Sequence, residues 1–498
     1  MSTVIDGQWH RLDPRTIAAV STLVMAPMVP TVGVMLLSGK VQVALITSLI
    51  WVAGGLVIAG LTAVGWWFTR YRITAERFEL RRGNLTRSHR SIPRDRIRSV
   101  DLTADPGHRL FRIAVVKVGT GGQAGDGAEL KLDAIARHHA ETLRQELLFG
   151  DAPTVDTHRQ GATEAESTLA RLRPAWFGYS ALTLSLVLIV WGALGSAVGS
   201  FTELLDAMGV FRAVADAATA APVLAVGVGT AALLLVGVGG AMALSVEMWW
   251  GFRLSRERGG TLRVRRGLLT TRSISLEQRR LRGVEIAEPM LLRWAGAARL
   301  NAIATGLSRS REDHQPENKT LLPPAPRAEV DRVAAAVLRE PQPPTGTPLR
   351  RHPRAALRRR TTWALGCAAP AVAAVVVLDV LGWVPTWLAV SAGGVAVLVA
   401  CAFAVDAYRN LGHGLTDEYL ITRSGTGVRR TAALHRSGII GWRITQTVFQ
   451  RRSGLANVTA TTAAGSSCYP VKDVAVGEGL ALAEQAVPNL LGPFLERH

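Results

Sequence analysis

Apolar residues in this chain are gathered into runs, and between the runs polarity alternates. Six stretches of roughly 20 residues or more contain no Lys, Arg, Asp or Glu: approximately 16–38, 41–68, 176–199, 220–246, 361–378 and 385–405. Wound as helix, each is long enough to cross a hydrocarbon core of about 30 Å. Pro27 and Pro30 interrupt the first run and Pro370 the fifth, which a membrane helix tolerates where neighbours re-satisfy the freed carbonyls. Trp66, Trp67, Trp176, Tyr179, Trp249, Trp250, Trp363, Trp383 and Trp387 stand near the ends of the runs, where amphipathic rings favour the headgroup layer. The runs come in pairs, so the pattern predicts three helical hairpins.

The segments after each pair alternate with period two. Tyr71, Ile73, Phe78 and Leu80 precede a turn at Gly83; Ile92, Ile97, Val100 and Leu102 follow, then Ile113, Val115 and Val118, a Gly-rich turn at 119–127, and Leu130 and Leu132. Short alternating strands separated by turn signals predict a sandwich or small barrel. Residues 134–148, 327–338 and 478–491 change to helical spacing, so each polar module is expected to hold about seven strands and one C-terminal helix.

The modules repeat. Moved by 184 positions, Arg81-Arg82-Gly83 falls on Arg265-Arg266-Gly267, Ser91 on Ser275, Val100-Asp101 on Val284-Glu285, and Arg109 on Arg293. The third module keeps Arg423-Ser424-Gly425 at the first turn, and Arg451-Arg452-Ser453-Gly454 where the second has Arg293-Trp294-Ala295-Gly296. Reading along the chain assigns 1–68 to an N-terminal arm and hairpin, 69–150 to a first β-module, 151–175 to a linker and 176–250 to the second hairpin. Then come a second module at 251–339, a Pro-rich basic linker at 340–360, the third hairpin at 361–407 and a third module at 408–498.

Charge orients this arrangement. The chain has 498 residues, 48% of them hydrophobic and 19% charged, with a formal net charge of +19 and a mean hydropathy of +0.20. Arg11 and Arg15 precede the first run, and the basic segments follow the second, fourth and sixth. By the positive-inside rule both termini and all three modules are expected on the cytoplasmic side, against the anionic inner leaflet. The first run is too long for a signal-peptide core. On the far side, residues 201–215 place Phe201, Leu204, Leu205, Met208, Phe211, Val214 and Ala215 on one stripe, which predicts a helix lying in the outer interface.

The string TRYRITAERFELRRGNLTRSHRSIPRDRIRSVDL (69–102), followed by HRLFRIAVVKV, strongly resembles the bacterial PH domains of YdbS/YdbT-like membrane proteins, and so does 412–463. The larger members of that group have three hairpin-plus-domain units, so the resemblance covers essentially the whole chain and implies a pleckstrin-homology plan for each module. Two departures stand out: the Arg-x-x-Gly turn reads Arg109-Leu110-Phe111-Arg112 in the first module, and Ser91-Ile92-Pro93 becomes Ser275-Leu276-Glu277 in the second.

The candidate contacts for anionic lipid or a partner are Arg81, Arg82, Arg87, Arg90, Arg265 and Arg266 on the strands, and Arg350, Arg351, Arg354, Arg358, Arg359 and Arg360 ahead of the fifth run. No catalytic motif, cofactor site or metal site is present: His-Glu-x-x-His, Walker and Gly-x-Ser-x-Gly patterns are absent. Two of the three cysteines, Cys367 and Cys401, lie inside apolar runs, against a disulfide framework or zinc site. Nucleic acid is not expected, since the basic strands lack interleaved aromatics. The expected function is a non-enzymatic membrane scaffold or sensor, acting in envelope stress or defence, whose domains bind lipid headgroups, one another or a protein partner. A transporter or transporter accessory subunit is the alternative, disfavoured by the near absence of ionisable residues in the runs.

Overall fold

The computed structural model describes residues 7–37, 39–74, 76–83, 88–94, 97, 99–119, 129–149, 167–257, 260–305 and 319–492. They separate into two units that divide between Gln278 and Arg279.

The first unit begins with β1 (His10–Arg11), then α1 (Arg15–Met25), α2 (Met28–Leu37) and α3 (Val41–Phe68). The first module follows as β2 (Arg70–Ile73), β3 (Arg77–Arg82), β4 (Ser88–Pro93), β5 (Ser99–Ala104), α4 (Pro106–Leu110), β6 (Ile113–Gly119), β7 (Glu129–Ala136) and α5 (Arg137–Phe149). Its core draws on both halves: Tyr71, Phe78 and Ile92 from the first three strands pack with Val100, Val116, Leu132 and the α5 residues Ala140, Leu143 and Leu147. This is a sandwich closed by a C-terminal helix, with six strands among the described residues where about seven were expected. Beyond it lie β8 (Ser167–Arg171), α6 (Leu184–Ser200), α7 (Thr202–Ala207), α8 (Val210–Ala220), α9 (Pro222–Trp249), β9 (Arg253–Glu257), β10 (Thr261–Arg266) and β11 (Thr271–Glu277).

The second unit carries β12 (Leu281–Pro289), α10 (Met290–Trp294), β13 (Ala297–Ala304), β14 (Thr320–Pro326), α11 (Arg327–Leu338), α12 (Arg354–Val380) and α13 (Thr386–Arg409). The third module completes it: β15 (Gly412–Leu415), β16 (Tyr419–Ser424), β17 (Val428–His435), β18 (Gly441–Thr445), α14 (Val448–Arg452), β19 (Leu455–Thr461), β20 (Cys468–Ala475) and α15 (Val476–Ala486). Leu420, Leu434, Val458, Val471, Val474 and Leu482 form its core.

Five helical stretches among the described residues are long and apolar enough to cross a membrane: Arg15–Leu37, Val41–Phe68, Pro222–Trp249, Arg354–Val380 and Thr386–Arg409. At most 11% of any of their most apolar windows is buried, and such open apolar faces suit lipid rather than water. The third expected span differs. It is a 3₁₀ helix, Pro174–Leu182, meeting α6 at 73°, so the straight part is only 17 residues. The interfacial helix expected over 201–215 is also divided. Gly209 adopts φ 72°, a left-handed turn that separates α7 from α8, and glycine reaches that conformation without steric cost. On α6 a Cβ at Gly195 or Gly199 would meet nothing within 4 Å, so helix packing uses other glycines. A Cβ on Gly237 would lie 2.8 Å from Trp191 Nε1, and one on Gly240 would lie 2.6 Å from Val190, so α9 meets α6 there.

The strands join the modules edge to edge. In the first unit the order is β7-β6-β5-β11-β10-β9-β8, and in the second β14-β13-β12-β17-β16-β15. The last three strands of one module thus continue into the first three of the next. Both junctions use one register: Asp101 faces Ile274 across β5–β11, and Glu285 faces Ala432 across β12–β17. A segment ahead of each hairpin adds to the opening strand of the module after it, as β1 on β2, β8 on β9 and a single bridge from Arg350 to His413. The ends of the series remain short sheets, β1-β2-β3-β4 and β18-β19-β20.

Candidate functional site

Where β5 meets β11, α5 lays charged side chains across the joint. Arg144 is 1% exposed. Its Nη2 is 2.9 Å from Glu141 Oε1 and its Nη1 3.0 Å from Glu257 Oε2, and Nη1 also donates to Ser275 Oγ at 2.9 Å. Arg263 closes the group with Nη1 3.0 Å from both Glu141 Oε1 and Glu257 Oε1, and Nε donates to Ser273 Oγ. Two guanidiniums therefore meet two carboxylates. Burial alone would raise the Glu141 carboxyl, but Arg144 and Arg263 outweigh it and hold that group below the usual range.

Beside this balanced cluster opens a cleft of about 460 Å³ whose polar lining is Arg137, His138, Glu141, Arg263, Arg265 and Arg272 with the hydroxyls of Thr271 and Ser273. Arg263 is already engaged; Arg137, Arg265 and Arg272 have no side-chain acid partner among the described residues. Burial lowers the affinity of Arg265 for its proton, and the neighbouring charges of Arg137 and Arg263 lower it further. An excess of guanidiniums in a half-enclosed cleft is a place for an anion, and the planar fork of arginine suits phosphate or carboxylate oxygens.

In the second unit a cleft of about 590 Å³ lies between α12 and α13, with Arg359, Arg360 and Trp363 at one end and Ala368, Ala400 and Phe403 along its walls. Both arginines are held by one acid. Arg359 pairs with Asp473 Oδ1, and Arg360 Nη2 lies 2.9 Å from Asp473 Oδ2. Gln450 Nε2 donates to the same carboxylate at 2.9 Å and to Asn457 Oδ1 at 2.9 Å. Arg359 also lies 5.5 Å from the Trp363 ring centroid. A basic end on an apolar cleft between spanning helices is the shape of a lipid site, polar at the headgroup and apolar along the chains.

The remaining sequence candidates scatter. Arg81 and Arg72 flank the Trp9 ring at 4.3 and 4.8 Å, and Arg82 pairs with Asp133 at 2.7 Å. Arg90 is exposed on β4, and Arg87 lies outside the described residues. Arg266 is 3% exposed and stacks 4.3 Å from the Trp249 ring centroid at the end of α9. Arg350, Arg351, Arg354 and Arg358 are exposed. Of the twelve, then, Arg265 enters the first cleft and Arg359 and Arg360 the second. Sequence reading missed Arg137, Arg272 and Asp473; a basic residue opening a helix directly after a strand was the signal available for Arg137.

Sandwiches of this plan, each carried on a helical hairpin, define a membrane-associated PH-like repeat protein. The family model for the bacterial PH domain matches the chain three times, over residues 21–148, 209–341 and 369–486, and the chain belongs to that family. No curated protein and no solved structure matches it.

Proposed function

We propose that this chain is a non-enzymatic, multi-pass scaffold or sensor of the bacterial cytoplasmic membrane. Six spans, the third of them bent, hold both termini and all three PH-like domains in the cytoplasm, and the domains take up anionic phosphate-bearing headgroups of the inner leaflet. The observation that carries this reading is the cleft containing Arg137, Arg265 and Arg272, which has more cations than acids to neutralise them. Bacterial PH domains as a class suggest lipid or protein binding, and the cleft's chemistry favours the lipid arm.

The test uses the full-length protein in nanodiscs containing phosphatidylglycerol or only phosphatidylcholine, with bound lipid counted by native mass spectrometry. Phosphatidylglycerol should be retained selectively. The double variant Arg265→Gln/Arg272→Gln should lose it by about tenfold or more, since each basic residue near an anionic surface contributes about 1 kcal/mol. Equal retention of both lipids would refute the reading, and solute flux through proteoliposomes would replace it with transport.

A further inference from the structure

Each module's fourth strand position (β5, β12 and β18) has an outer edge, and in two modules that edge is filled. β5 takes β11 and β12 takes β17, in one register. By the same offsets Gly441 corresponds to Gly283, Arg443 to Glu285 and Ile444 to Ile286. β18 pairs only with β19 among the described residues. The cost shows in its side chains. Ile286 is 0% exposed, whereas Ile444 is 39% exposed, with Ile440 at 66% and Phe449 at 63% beside it. A bare strand edge flanked by apolar residues is normally covered or blocked.

A second feature repeats. The first basic residue of the Arg-x-x-Gly turn reaches into the following hairpin-plus-module: Arg109 Nη1 donates to the Leu269 carbonyl at 3.1 Å, and Arg293 Nη2 lies 2.5 Å from Asp406 Oδ1 at the end of α13, with Nη1 3.1 Å from Asn410 Oδ1. Arg451 holds the corresponding place on α14 and is exposed. Among the described residues no following module meets it.

We propose that β18 and Arg451 form an open copy of the inter-module junction, and that its occupant is an acidic extended strand of a partner protein, added antiparallel to β18 with a carboxylate opposite Arg443. Charge selects this occupant over a second copy. In the junction register the residue that the edge strand β4 would set opposite Arg443 is Arg90, and like charges directly opposed across strands repel. A strand with Asp or Glu there pairs with Arg443, supplies the missing row of backbone bonds and covers Ile444.

The probe is a fluorescent synthetic peptide of residues 426–437, the strand that fills the preceding junction, carrying Ala432→Glu. Its binding to the full-length protein in nanodiscs is followed by anisotropy. It should bind the wild type and weaken about fivefold or more on Arg443→Glu, while the Ala432→Lys peptide should show the reverse preference. Arg443 is exposed, so the variant should melt with the wild type. Binding indifferent to both charge changes would overturn the proposal. So would concentration-dependent oligomers in mass photometry that disappear with Ile444→Pro, since β18 would then be taken by a second copy.

Discussion

Arg360 donates from Nη2 to Asp473 Oδ2 at 2.9 Å, across 113 residues of sequence. Asp473 is 0% exposed and sits at φ 57°, a left-handed position that Asp and Asn tolerate better than most residues. It holds Arg359 as well, so two of the six arginines expected as lipid contacts ahead of the fifth run fix the foot of α12 to the third module. Removing the acid leaves two mostly buried cations against each other. Asp473→Ala should cost roughly 3–5 kcal/mol and lower the thermal midpoint in detergent by many degrees. Arg351→Gln, Arg354→Gln and Arg358→Gln, made together at exposed positions, should leave it nearly unchanged. A wild-type melt for Asp473→Ala would show that the pairing carries no stability.

That contrast also shows what the sequence makes legible. Hairpins and strands could be read because the spans are uniformly apolar and the strands alternate, and both signals are local. Even the repeat is local similarity displaced by a fixed offset. The pairing of β5 with β11 and of β12 with β17 could not be read in this way, because backbone edges pair without a side-chain code. Arg144 and Glu257 are distant in sequence and meet only once β5 and β11 are joined, and Arg359 meets Asp473 only once α12 packs against β20. The break at Thr183 escaped notice for another reason: hydropathy measures how apolar a segment is, not whether it is straight.

His413 should make the second unit sensitive to mild acid. It is 1% exposed, its Nδ1 is 3.1 Å from His352 Nε2, and Glu478 lies 3.3 Å from its Nε2. Burial, helped by the charge of Arg350, pushes its pKa down to about 4 from an ordinary 6.5. Between those values the unfolded chain binds a proton that the folded chain does not. Stability is therefore level above about pH 6.5 and falls as pH drops towards 4, by roughly 3 kcal/mol for this one group. Melts at pH 7.5 and pH 5 should differ in that direction, and His413→Gln should shrink the difference. A pH-independent midpoint would contradict the buried neutral imidazole.

Gly283 is the tightest point of the β12–β17 junction. It has φ 153°, and a Cβ would lie 2.0 Å from the Ala433 carbonyl oxygen, which is backbone and cannot swing aside. Gly283→Ala must therefore strain the turn into β12 or push β17 away, at a cost of roughly 1–3 kcal/mol. Gly454→Ala, also at positive φ (64°) but with nothing within 4 Å, separates backbone strain from collision. The Gly283 variant should unfold at lower denaturant and show faster amide exchange in β17. Equal effects for the two variants would mean that the close approach does not matter.

The topology has its own test. Single cysteines at Gly122, Asp313 and Ser466, in a background lacking Cys367, Cys401 and Cys468, should resist a membrane-impermeant maleimide in intact cells and react once the cells are opened. Gly122 and Asp313 lie outside the described residues, and Ser466 lies in the turn between β19 and β20. Labelling from outside at any of them would invert the orientation set by Arg11, Arg15 and the basic segments.

The break at Gly209 changes how the far-side segment should meet the bilayer. A single helix over 201–215 would put Leu204, Met208 and Phe211 on one stripe, but the left-handed turn at Gly209 resets the phase. Within α8 the apolar residues Val210, Phe211, Val214 and Ala218 share a face, and Arg212 and Asp216 point elsewhere. Phe211 and Val214 are 39% and 63% exposed, so neither is used in packing against the protein. Lying in the interface would place them at the acyl boundary and keep Arg212 and Asp216 in the headgroups; burying those charges as a continuation of α6 would cost several kcal/mol. Spin labels at Phe211 and Val214 should therefore be accessible to oxygen, and labels at Arg212 and Asp216 to a water-soluble relaxant. Leu204 and Asp206 should show the same contrast within α7, independently of α8. Uniform access of the water-soluble reagent along 202–220 would take this segment off the membrane altogether.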